Sequence, residues 1–183
     1  HVLWTAGGMK PGKQFKIIQS LGHHIIDPIP SLFTFEIKHP LINGLQGLSV
    51  PLAESSLIGT DVRCRGPMLI THWGLSGPAI LRLSAWAARE IHAMSGPFEI
   101  EINWIPDINN PQTALLAFKE KHSKKLLTNS PALGLPKRLW QRLVGTVDVK
   151  PRMIWGGLRQ SSLDQLCSIL TQTRFKVSGK SRN

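Results

Sequence analysis

The stretch His72-Trp73-Gly74-Leu75-Ser76-Gly77 brings an imidazole, an indole and a hydroxyl close together in the chain. A serine between glycines with a histidine nearby is the local pattern of a nucleophile elbow, a strained strand-to-helix turn that exposes the hydroxyl. That pattern requires glycine two residues after the serine, and Pro78 stands there. Ser76 followed by Gly77-Pro78 reads instead as a helix cap with proline in the first turn. The free N–H groups of a helix start still attract anions, so the turn keeps a possible binding role.

A second pattern, Gly7-x4-Gly12-Lys13, follows an apolar run at residues 2–6 and precedes an apolar-periodic run at 14–21. It nearly matches a phosphate-binding loop, but Gln14 occupies the place of the Ser/Thr that would hold magnesium. No parallel strand–helix series follows to carry the remaining nucleotide contacts. Cys64 and Cys167 are isolated and have no CxxC partner, so they read as buried or half-buried thiols rather than metal ligands. The adjacent pair His23-His24 is a poor chelate, because neighbouring side chains diverge on a helix or a strand. No metal is expected.

The elements that must position these residues fall into two regimes. Between residues 31 and 105 the period is two: Phe33, Phe35 and Ile37 alternate with polar residues, as do Phe98, Ile100, Ile102 and Trp104. Shorter strands are expected at 48–52, 61–65 and 68–71, separated by Gly and Pro. One amphipathic helix interrupts them after Gly77-Pro78, with Ile80, Leu83, Trp86 and Ile91 on its apolar face. After Pro106 the period becomes helical, with helices expected at 111–127, 136–144 and 162–170. The last is opened by a capping-box pattern, Ser162-Leu163-Asp164-Gln165. Alternation returns at Arg174-Phe175-Lys176-Val177-Ser178, and a late strand needs the earlier ones as partners. The expected class is therefore α+β: a small β-barrel with a three-helix subdomain inserted before its last strand.

The chain has 183 residues, 42% of them apolar and 18% charged, as in a folded soluble domain. No apolar run approaches the roughly 20 residues needed to span a bilayer, and the start has no basic region before its apolar stretch. A cytoplasmic protein with no membrane partner is the expectation. Lys and Arg number 22 against 11 Asp and Glu, a net charge of +11. Such a balance suits nucleic acid, an anionic cofactor or an acidic partner. Small basic clusters stand at residues 119–125 and 176–182, though a solvated helix face explains the first equally well. The six tryptophans read as core or interface anchors, any exposed ones marking a docking surface.

The segment running from Gly66 through Thr71-His72-Trp73-Gly74-Leu75-Ser76-Gly77-Pro78-Ala79 resembles a signature of the BaiN-like, aminoacetone-oxidase-like family of NAD(P)/FAD-dependent oxidoreductases. Supporting matches, in family order, are Thr5-Ala6-Gly7-Gly8, Ser20-Leu21-Gly22-His23, Pro30-Ser31-Leu32-Phe33, Ile102-Asn103-Trp104-Ile105-Pro106, Leu135-Pro136-Lys137-Arg138 and Ser178-Gly179-Lys180. The resemblance implies three parts. Residues 1–27 would be a remnant strand-turn-helix of a Rossmann-like FAD domain, 28–106 with 171–183 the barrel, and 107–170 the helical subdomain.

It also implies that Thr5, Gly7 and Gly8 lie near FAD in a longer parent, with NAD(P)H as electron donor. His72, Trp73 and Ser76 would face a small-molecule substrate, or merely hold barrel to helix. The catalytic residues stay unknown. The function implied is the substrate-side insert of a flavin oxidoreductase, inactive alone and partnered by the parent's FAD-binding domain. The helices resemble helix–two-turns–helix modules of nucleic-acid-binding proteins, so a basic nucleic-acid-binding module is the alternative. A purely structural docking domain is the third.

Overall fold

The computed structural model of the chain describes residues 3, 12–94 and 96–181. Thr5, Gly7 and Gly8, expected beside a flavin, lie outside the described residues. Two compact units emerge, His1–Pro30 and Ser31–Asn183. In the first lies helix α1 (Lys13–Ser20). Gly22 takes φ 87° just beyond it, a left-handed turn that glycine enters at little cost.

The second unit is built on seven strands. They are β1 (Thr34–Glu36), β2 (Ser49–Leu57), β3 (Arg63–Ile70), β4 (Gly74–Ser76), β5 (Phe98–Asn103), β6 (Thr173–Val177) and β7 (Gly179–Ser181). All pairings are antiparallel, in the order β6-β5-β2-β3-β4-β1-β7. The two ends of that order, β6 and β7, are separated in the chain by Ser178 alone. Its N–H donates to the Glu36 carbonyl at 2.9 Å, so one extended segment supplies both edges and closes the sheet into a barrel. Closure removes the free edges at which open sheets aggregate.

Alternation decides which side chains fill the barrel. On β3, Cys64, Gly66, Met68 and Ile70 are buried while Arg63, Arg65, Pro67 and Leu69 face outward. On β5 and β6 the inward set is Phe98, Ile100, Ile102, Thr173, Phe175 and Val177. Helix α2 (Pro78–Trp86) packs Ala79, Ile80, Leu83 and Ser84 against them, and α3 (Ala88–Ala93) follows it. Ser55 on β2 donates to the Ala79 carbonyl and the Phe33 N–H donates to Ser84 Oγ, both at 2.9 Å, which ties α2 to the barrel.

Where sequence expected two strands at 61–65 and 68–71, one continuous strand runs through Gly66-Pro67. Pro67 cannot donate to a ladder, yet the register passes from Val50↔Met68 to Ala53↔Gly66. Pro51 and Leu52 thus bulge opposite Pro67, and no partner loses a donor it needs.

Between β5 and β6 lie helices α4 (Pro111–Lys121), α5 (Lys137–Val144) and α6 (Gln160–Thr171). The Asn110 side chain caps α4 by accepting from the Thr113 N–H at 3.0 Å, and Pro111 takes its first turn. The capping box expected at Ser162 does not form. Helix α6 begins two residues earlier, at Gln160. Ser162 Oγ donates to the Asp148 carbonyl and Gln165 Oε1 accepts from the Asp148 N–H. Both side chains clamp one loop residue rather than close a helix. None of the described helices is long and apolar enough to cross a membrane.

Candidate nucleic-acid interface

The expected site residues His72 and Trp73 form the turn between β3 and β4. Thr71 builds that turn: its backbone N–H donates to the Gly74 carbonyl at 2.8 Å, and its hydroxyl accepts from the N–H groups of Trp73 and Gly74. The Trp73 carbonyl in turn accepts from the Ile37 N–H at 2.9 Å. Gly74 is required here. A Cβ on it would lie 2.3 Å from the Phe35 carbonyl oxygen and 2.5 Å from the Ile37 nitrogen. His72 is exposed and Trp73 is 57% exposed, an indole held in water by a fixed backbone.

Ser76 is placed differently from expectation. It belongs to β4, and its hydroxyl accepts from the Thr34 hydroxyl at 3.0 Å. Gly77, at φ 89°, is the residue before α2, with no side-chain cap. The sharp turn between strand and helix leaves Ser76 committed to the sheet. His72 and Trp73 are therefore brought together at the turn, and Ser76 is not part of an exposed pair with them.

A second feature rests on buried aromatics. Trp104, Trp140 and Trp155 are fully buried, while Trp73 and Trp86 are exposed, so the tryptophans divide between core and surface. Trp140 and Trp155 stack at 5.6 Å, and Phe118 of α4 packs on Trp155 at 4.9 Å. The indole N–H of Trp140 donates to the Leu127 carbonyl at 2.6 Å, and that of Trp155 to the Ser130 carbonyl at 3.2 Å. These bonds satisfy buried polar groups and pin both ends of the turn Leu127–Asn129 between α4 and α5.

The same scaffold sets two loops side by side. The Gly156 and Trp155 N–H groups donate to the carbonyls of Ser123 and Lys125, and the Leu127 N–H donates to the Met153 carbonyl. Segment 123–127 therefore runs beside 153–156, and the turn from Lys150 to Met153 stands next to Lys124 and Lys125. Lys121, Lys124, Lys125, Lys150, Arg152 and Arg159 are all exposed. A polar cleft of about 320 Å³, bordered by Lys150, Arg159 and Ser161, opens beside them.

Charge is unevenly shared. Residues 104–172 hold ten Lys and Arg against four Asp and Glu, whereas residues 31–103 hold five against six. The ion pairs found among the described residues all involve barrel arginines: Arg63 and Arg65 with Glu54, Arg65 with Asp107, and Arg174 with Glu101. Among the described residues, none of the six exposed cations of the helical loops has an ion pair. Unneutralised charge on a rigid surface favours phosphate, whose condensed counterions are released on contact. Lys150 and Arg152 were not marked out by sequence, because the ladder that carries them to Lys124 joins segments far apart in the chain.

The thiols are as read. Cys64 is buried and Cys167 half-buried; burial pushes both above the usual thiol range, with Arg82 partly opposing the shift at Cys64. Among the described residues no group of three His, Cys, Asp or Glu side chains is placed to hold a metal ion.

Residues 29–182 match the family model described as HI0933-like protein barrel and H2TH domain. Among curated proteins, the chain is 31% identical to the ribosomal RNA dihydrouridine synthase of Escherichia coli over 187 residues, covering 97% of this chain and 44% of that protein. It is 29% identical to the enzyme of the same name from Haemophilus influenzae over 128 residues, covering 68% of this chain and 29% of that protein. The chain thus spans less than half the length of these relatives. Their names correct the expected function. They point to modification of RNA, not to the small-molecule-side insert of a flavin oxidoreductase, and no aminoacetone oxidase stands among them.

Proposed function

We propose, from the premise that this chain belongs to the HI0933-like protein family as its barrel and H2TH domain, that it is the RNA-contacting part of an enzyme that modifies ribosomal RNA. The observation that carries the reading is the pair of adjacent basic loops, 121–125 and 150–152, held by the Trp140–Trp155 stack and unneutralised among the described residues. The names of the two relatives supply the class of reaction, formation of dihydrouridine in ribosomal RNA.

The division of labour follows from chemistry. Phosphate contacts fix the register and orientation of a nucleic acid without reading its bases. Lys124, Lys125, Lys150 and Arg152 would hold the backbone of a folded RNA and thereby position a target uridine. In this reading residues 107–170 act as the gripping subdomain, and 28–106 with 171–183 act as the barrel that supports it.

Conversion of uridine to dihydrouridine adds a hydride and a proton across one ring double bond, and a reduced flavin, itself reduced by NAD(P)H, is the kind of group that supplies the hydride. Thr5, Gly7 and Gly8 would lie near it, together with a flavin-binding partner region in a protein of the relatives' length. Because those residues lie outside the described ones, no step is derived through the cofactor.

The test is the dihydrouridine content of ribosomal RNA from cells with and without the gene that encodes this chain. Loss of a dihydrouridine on deletion, restored by the wild-type gene and restored poorly by one carrying Lys124→Ala, Lys125→Ala, Lys150→Ala and Arg152→Ala, is the expected result. Unchanged dihydrouridine in the deletion strain would remove the proposal.

A further inference from the structure

We infer that the groove beside the His72-Trp73 turn receives one unstacked nucleotide of an RNA strand, an assignment that rests on the RNA-contacting reading above. The groove has a volume of about 400 Å³, bordered by the loop that follows β1 and by Thr71 and His72. That is within the roughly 300–1,000 Å³ of ordinary ligand sites. Lys38, His39, Asn43, Gln46 and His72 supply its polar wall, and no carboxylate lines it.

The wall is rigid where a recognition site needs rigidity. Arg142 Nη2 donates to the Asn43 carbonyl at 3.0 Å, and Arg138 donates to the neighbouring Gly44 carbonyl, so two guanidinium groups of α5 brace the loop. On the other side the Gly47 N–H donates to the Ile70 carbonyl at 2.9 Å. His39 Nδ1 accepts from the Leu41 N–H, which leaves the neutral ring's proton on Nε2. The side chains of Asn43 and Gln46 make no hydrogen bond among the described residues, and each amide offers both a donor and an acceptor.

Trp73 adjoins the groove in the chain without bordering it. It follows His72 in the turn, is 57% exposed, and has its N–H and carbonyl both fixed by neighbours. The groove offers free amides, the Lys38 ammonium and no acid, and the residue that follows its bordering His72 is an exposed indole; these are the groups an unpaired nucleotide needs. In this assignment the ring stacks on the base, the amides meet its edge, and Lys38 meets its phosphate. This groove is separate from the basic loops, so it adds recognition of an unpaired residue to their grip on the backbone.

The experiment titrates the chain with fluorescein-labelled decauridylate and with a blunt RNA duplex, following anisotropy and tryptophan fluorescence. Wild type is compared with Trp73→Leu, Gln46→Ala and, as an outside control, Trp86→Leu. The expected result is that decauridylate quenches wild-type fluorescence, that Trp73→Leu weakens its binding roughly tenfold and removes the quench, and that Gln46→Ala weakens it in the same direction. Duplex binding should change less than about twofold, and Trp86→Leu should match wild type. Decauridylate bound equally by Trp73→Leu, or both RNAs weakened alike, overturns the groove assignment and leaves the RNA-contacting reading standing. Failure of wild type to bind either RNA overturns both.

Discussion

The rings of Trp140 and Trp155 lie 5.6 Å apart and 22° from parallel, and they donate their indole N–H groups to opposite ends of one turn, Leu127 and Ser130, between α4 and α5. Two buried side chains thus fix the geometry of the loops that expose the lysines. The placement of the basic loops and the stability of the helical part are therefore linked through this stack.

Trp155→Ala should lower the unfolding free energy by about 3–5 kcal/mol, the usual range for emptying a buried aromatic site. Trp140→Phe keeps part of the packing but removes the pyrrole ring and its bond to the Leu127 carbonyl, and should lower it by about 1–3 kcal/mol. Denaturant unfolding of the two variants checks the order, and a Trp140→Phe loss exceeding that of Trp155→Ala would contradict it.

Glycine substitutions separate close approach from backbone preference. Gly74→Ala places a methyl group 2.3 Å from the Phe35 carbonyl oxygen, so β1 and β4 must separate, at a loss of about 3 kcal/mol or more. Gly59→Ala meets nothing within 4 Å and pays only for its φ of 85°, roughly 1–2 kcal/mol. Thermal unfolding of both measures the gap.

How far such features could be read from sequence depends on whether they are local. The alternation on β5 and β6 was legible because one face of each strand is buried along its whole length. Pro67 hid the continuity of β3, since the compensating bulge lies on another strand. Strands β4 and β7 are three residues long and carry no periodic signal, so the barrel was expected without them and without the continuation past Ser178 that pairs β7 with β1. His72 and Trp73 were found as a motif. The partnership of Lys124 with Lys150 and Arg152 was not, because it depends on hydrogen bonds between distant segments. Ser76 was misread as a cap because a serine before Gly-Pro has the same local pattern whether its hydroxyl serves the helix or, as here, a neighbouring strand.

The cysteines give a prediction about pH. Burial raises the pKa of both Cys64 and Cys167, so the thiolate fraction at any pH near 8 is below that of a free cysteine. Alkylation by iodoacetamide at pH 8 should be slower than for glutathione, and should accelerate in denaturant. Labelling of the folded chain as fast as glutathione would contradict the burial of both sites.

The central claim is that the two basic loops grip RNA through its phosphates, and the salt dependence of binding tests it most directly. Affinity of the chain for a duplex-containing ribosomal RNA fragment is measured by anisotropy from about 50 to 200 mM salt. It is measured for wild type and for the variant carrying Lys124→Ala, Lys125→Ala, Lys150→Ala and Arg152→Ala. The account predicts a steep linear fall of log affinity with log salt in wild type, and a slope shallower by about 3 in the variant. Wild-type binding that is absent or indifferent to salt, or a variant with the wild-type slope, would contradict it.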